Sequence, residues 1–182
     1  MELSVFVNKV KEILINSYTF YYDSEYLSRH THHGGVPDEL MFIHRVKVSQ
    51  YVVIVIELAK IVVYSDNHHF NIYKLFSAIK NHKKNAATFN FDVSKYENGI
   101  KQYSSTIQEI KKLRNKAFAH SDKETLNPGY SFTLTYDQLK DLLDFIVEMI
   151  NDLSEHFEEV DSVEIVDDKG AEKTYKIVME NI

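Results

Sequence analysis

The sequence has no cysteine, no tryptophan, only two prolines (Pro37 and Pro128) and five glycines in 182 residues. Without cysteine there are no disulfides, no thiolate metal sites and no cysteine nucleophile. So few chain breakers favour long helices over many short strands. A long apolar run is missing too: Tyr51–Tyr64, "YVVIVIELAKIVVY", is too short to span a bilayer and carries Glu57 and Lys60. The N-terminus, "MELSVFVNKVKEIL", sets charges among its apolar positions, unlike a secretory signal. These absences predict a cytoplasmic protein with no membrane partner. Phosphate-binding loops, GxGxxG, GxSxG and zinc-protease motifs are also lacking, so no cofactor is expected.

What is present suits one soluble domain with a sizeable core: 44% of residues are apolar and 26% charged. The formal net charge of -6 hides an asymmetry. Residues 1–125 hold 17 Lys and Arg against 13 Asp and Glu, whereas residues 126–182 hold 4 against 14. The first two thirds can therefore present a basic patch to an anion despite the overall sign.

Apolar periodicity predicts a mainly α-helical bundle of about five helices over residues 1–160 and an acidic tail over 161–182. The first helix is predicted over Leu3–Tyr18, followed by a polar stretch rich in tyrosine and histidine. The second spans Asp38–Tyr64; its β-branched "VVIVI" suits a strand locally, but the length without turn residues decides for a buried helix. A short third helix is expected over Asn71–Asn81. The fourth begins at a capping box of Ser94 with Glu97, and the fifth at a second box of Thr135 with Gln138. The "NPG" turn falls between these two, and "SVEIVDDKGAEKTYKIVME" reads as a β-hairpin.

The fourth helix ends in "KKLRNKAFAHSD". Its apolar stripe is Tyr96, Ile100, Tyr103, Ile107, Ile110 and Leu113, and Arg114 falls inside that stripe at about 100° per residue. A guanidinium there needs a partner, an exit to solvent, or an anion to bind. His120 lies roughly 120° around the helix from Arg114. Bringing the two groups to one point takes either a distorted helix end or a second copy across a two-fold axis.

The pair Arg114 and His120, with Asn115 directly after the arginine, resembles the R-x(4-6)-H signature of the HEPN superfamily. The string "LRNKAFAHSD" is most similar to the HEPN domains of AbiU-type abortive-infection proteins in bacterial phage defence. The resemblance covers residues 1–160. It implies a metal-independent endoribonuclease acting as a homodimer, with two Arg/His pairs in one cleft. A histidine suits proton transfer at the ribose 2′-hydroxyl near neutral pH, and a guanidinium suits the charge gathering on the phosphate. Asn115 would orient the histidine or the phosphate. Lys116, Lys111 and Lys112 would hold RNA phosphates, with Lys80, His82, Lys83 and Lys84 as an outer extension. The resemblance equally admits a non-catalytic module that binds RNA, a nucleotide, or a protein antitoxin or defence partner. HEPN toxins paired with a nucleotidyltransferase antitoxin carry a tyrosine two residues after the motif histidine. Here Asp122 stands there, which argues against that pairing.

Two other clusters read as flexible loops by default. His30, His32 and His33, and Asp66 with His68 and His69, have ligand chemistry for a divalent metal, but neither offers a helical i, i+4 His pair. No metal site is predicted. The tyrosines of "YTFYYDSEY" can stack bases, although packing a helix end suits them better. The acids of the fifth helix read as an exposed face.

Overall fold

The computed structural model describes residues 2–30, 41–65, 69–85, 89–119, 133–157, 161–167 and 169–179. Its elements are α1 (Leu3–His30), α2 (Met41–Val62), α3 (Ile72–Asn85), α4 (Val93–Gly99), a 3-10 turn (Ile100–Tyr103), α5 (Ser104–Ala119), α6 (Tyr136–Ser154) and α7 (Gly170–Met179). Among the described residues there is no β-strand. The mainly helical architecture agrees with the apolar periodicity.

Helix α1 is the axis of the molecule, packing on α2, α6, α7 and α3. It runs twelve residues beyond the expected end at Tyr18. The polar-looking stretch continues the buried stripe with tyrosines and serines: Ser17, Tyr18, Tyr21, Ser24 and Leu27 are all buried. The serines cost little there because their hydroxyls donate to carbonyls, Ser17 to Ile13 at 2.8 Å and Ser24 across to Lys47 of α2 at 3.0 Å. The Tyr18 and Tyr21 rings sit in an aromatic cluster with Tyr22 and Tyr136, so the tyrosines of this segment pack the core. In α2 the β-branched run is helical, since Ile54, Val55, Leu58 and Ala59 are buried on one side.

Helix α6 follows its pattern closely: Leu139, Leu142, Leu143, Ile146, Met149, Ile150 and Leu153 are all fully buried. Its capping box is formed, with Gln138 N–H donating to the Thr135 hydroxyl at 3.2 Å and Thr135 N–H to Gln138 Oε1 at 3.0 Å. Three acids on the exposed face of α6 also hold partners. Asp144 accepts from the Tyr18 hydroxyl and from Lys140; Glu148 and Asp152 accept from Lys95, and Asp152 also from Tyr96. Burial and then the Asp152 contact push the Tyr96 hydroxyl up to about 12, and the same hydrogen bond holds the Asp152 carboxyl below its usual range.

Four expectations need correction. The cap of α4 is Asp92, whose carboxylate accepts from Ser94 N–H at 3.0 Å and Lys95 N–H at 3.3 Å; an aspartate outcompetes the serine two positions later. The predicted fourth helix is two helices joined by the 3-10 turn. Helix α3 continues four residues past the expected end at Asn81, to Asn85. The tail is no hairpin: 161–167 is irregular and α7 is a helix with a Glu172–Lys176 ion pair at i, i+4. Ala171 and Tyr175 share a side of that helix, and the packing of this side on α1 outweighs the β propensity of its valine and isoleucine. The tail is tied down by Asn151, whose Oδ1 accepts from Val163 N–H at 2.6 Å, and by Asp23, whose Oδ1 accepts from Ala171 N–H at 2.9 Å. The "NPG" turn lies outside the described residues.

Gly99 closes α4 where α6 crosses it. A Cβ there would sit 2.6 Å from Cε2 and 2.8 Å from Cζ of Phe145, a ring itself packed on Tyr96 and Tyr103. Gly99→Ala gains about 1 kcal/mol of helix propensity but forces overpacking that costs about 1–3 kcal/mol. The expected net is a loss of about 1 kcal/mol, seen as a lower midpoint in thermal unfolding. A raised midpoint would show that the ring yields freely.

Candidate functional site at the end of α5

Helix α5 packs chiefly on α2 and only lightly on α6. Thr106 and Ile110 face the interior, while Ile107 and Leu113 are half-buried against the core. Arg114 follows on this edge, half-buried. Its guanidinium Nε and Nη2 donate to Asn115 Oδ1 at 3.3 and 3.1 Å. Among the described residues no carboxylate pairs with Arg114. The third way out of the problem posed by its position, an anion from outside the bundle, is therefore open to it.

Lys111, Lys112 and Asn115 are exposed. Lys112 lies 2.5 Å from Glu109, whose other oxygen accepts from the Thr133 hydroxyl at 3.2 Å. That tie makes Lys112 the less available of the two lysines. The Lys116 side chain and His120 lie outside the described side chains and residues, so Arg114 and Asn115 are the site residues brought together. Lys80 is turned away to Glu97, 2.5 Å off, and the His82 ring sits against Phe89. His30 stacks on Tyr26, while His32, His33, Asp66 and His68 lie outside the described residues. Among the described residues no group of three His, Asp or Glu side chains is arranged to hold a metal ion.

A family model described as HEPN AbiU2 matches residues 4–174. The chain belongs to the HEPN AbiU2 family. The match runs from α1 through α6 and into the first half of α7, so it takes in the start of the docked tail helix as well as the bundle. This places a HEPN domain in the setting of abortive infection. No curated protein and no solved structure matches the chain. Among the described residues, no helix of this HEPN domain is long and apolar enough to cross a membrane.

Sequence reasoning missed one feature of the site. Lys101, Ser104, Gln108, Lys111 and Asn115 recur at spacings of 3, 4, 3 and 4, and all five are exposed. That spacing sets them in one row along the turn and α5. The spacing itself was the signal, beside the apolar stripe of the same helix.

Proposed function

We propose that this HEPN protein is a metal-independent endoribonuclease of the abortive-infection type, acting at a composite site of two copies. What supports it most is Arg114: a half-buried guanidinium bound to Asn115 and, among the described residues, to no carboxylate. In the reaction, His120 takes the proton of a ribose 2′-hydroxyl, whose oxygen attacks the adjacent phosphorus. The bond to the 5′-oxygen of the next nucleotide breaks, and the second copy's histidine protonates that oxygen. Arg114 holds the non-bridging oxygens as charge gathers on them. Asn115 keeps the guanidinium oriented and leaves its own amide N–H groups to donate. Lys111 and Lys116 hold neighbouring phosphates. The charge segregation fits, because the net acid lies beyond residue 125.

The test is cleavage of total cellular RNA by purified protein in EDTA, beside Arg114→Ala and His120→Ala variants shown to fold. Cleavage by the parent alone is the expected result. If all three cleave equally, or none does, the nuclease reading fails, and RNA affinity then decides for or against a non-catalytic binding module.

A further inference from the structure

A groove of about 840 Å³ opens between α3, α4, the 3-10 turn and the first half of α5. That volume lies within the range of small-ligand sites, about 300–1,000 Å³. Phe76, Ile100 and Ile107 form an apolar floor. Tyr73 gives an aromatic wall, its ring edge-on to Tyr64 with centroids 6.1 Å apart. Around the rim stand short groups that both donate and accept: Asn98, Ser104 and Gln108. The acid at this rim, Glu97, is neutralised by Lys80 at 2.5 Å. Lys101, also at the rim, donates to Asn98 Oδ1 at 2.9 Å.

A row of exposed residues links the groove to the Arg114 site. The exposed row from Lys101 to Asn115 starts at its rim and passes Lys111, roughly 20 Å along the helix, to the residue that holds Arg114. No acid belongs to the row. A cation stands at the groove and another near the arginine, with hydrogen-bonding groups between.

We propose that this groove is a subsite for an unstacked base of single-stranded RNA, whose backbone runs along the lysine row to Arg114. The chemistry matches: a flat apolar floor and a tyrosine face receive the base, amide and hydroxyl groups meet its edge, and lysines meet the phosphates on either side. A partner helix would need a longer apolar channel than three floor residues provide. The inference rests on the RNA reading of the Arg114 site and names where a flanking nucleotide binds.

The experiment uses the full chain and short single-stranded RNAs carrying 4-thiouridine at successive positions. Photocrosslinks mapped by mass spectrometry are expected on Tyr73 or within residues 94–108. In parallel, fluorescence anisotropy measures the Kd of Gln108→Trp, which fills the groove from an exposed position, and of Lys101→Glu. Gln108→Trp should weaken binding about 10-fold, as the loss of one stacked base does. Lys101→Glu should weaken it and flatten the salt dependence. Unchanged Kd values with crosslinks elsewhere overturn the subsite, even if the parent cleaves RNA. Loss of binding in Gln108→Trp when no protein cleaves RNA keeps the subsite and removes the nuclease. No RNA binding by the parent removes both. A change in mass for Gln108→Trp in sedimentation velocity overturns the subsite by making the groove a seam between two copies.

Discussion

Arg114→Lys is expected to slow single-turnover RNA cleavage about 10²–10³-fold, the usual cost of one lost oxyanion donor, while RNA affinity falls far less. Charge is kept in this substitution, so charge alone cannot explain the loss. A guanidinium carries five N–H donors in a rigid plane. Two of them are spent on Asn115 Oδ1, at 3.3 and 3.1 Å, and this fixes the plane. The remaining three can serve as a fork that fits two phosphate oxygens. A lysine ammonium at this position would reach Asn115 or the phosphate, not both in fixed geometry. Its rotamer freedom would have to be surrendered in the transition state. A rate within threefold of the parent would mean that Arg114 serves only as a positive charge.

Ile146→Ala should cost about 2–5 kcal/mol, a large part of the 5–15 kcal/mol that holds a domain folded. Ile146 is fully buried in the middle of the α6 stripe, with Leu142, Leu143, Met149 and Ile150 equally buried around it. Interlocked on all sides, the site has little room to collapse around the vacancy. For a chain of this size the midpoint of thermal unfolding should fall by roughly 5–15 °C. Asp141→Ala, on the exposed side of the same helix, should move it by roughly 2 °C or less. A small loss at Ile146 would show that α6 is seated more loosely than its packing indicates.

The sequence was most readable where one force acted alone. The 3.6-residue apolar rhythm of α6 and its Thr135–Gln138 box needed no tertiary information, and both are found as written. It was least readable where polar residues do apolar work. Serines 17 and 24 and tyrosines 18 and 21 sit in a stripe that a hydrophobicity count ends at Tyr18. Their burial is offset by partners a hydrophobicity count does not register: a carbonyl one turn back for Ser17, and a carbonyl and a ring from other helices for Ser24 and Tyr21. The tail misled for a related reason: its valines and isoleucines carry strand propensity, yet Asp23 of α1 caps a helix there. At the site, the motif string carries Arg114, Asn115 and the family, while the row from Lys101 to Asn115 is hard to read because its members are ordinary surface residues one at a time.

The tail's moorings on α1 follow the order of synthesis in an unusual way. Lys11 donates to the carbonyl of Asp161, Asp23 accepts from Ala171, and the Tyr175 hydroxyl donates to the carbonyl of His30. The separations along the chain are 150, 148 and 145 residues. At about 5–20 residues per second on a ribosome, α1 waits on the order of 10–30 s for these partners. During that time the flank of α1 that carries Asp23, Tyr26 and His30 lacks its cover. The loops these contacts close are among the longest this chain can form, so they are made late and at the greatest entropic cost. A growing chain therefore passes through a stage in which the motif helix α5 has been made while the cover on α1 has not.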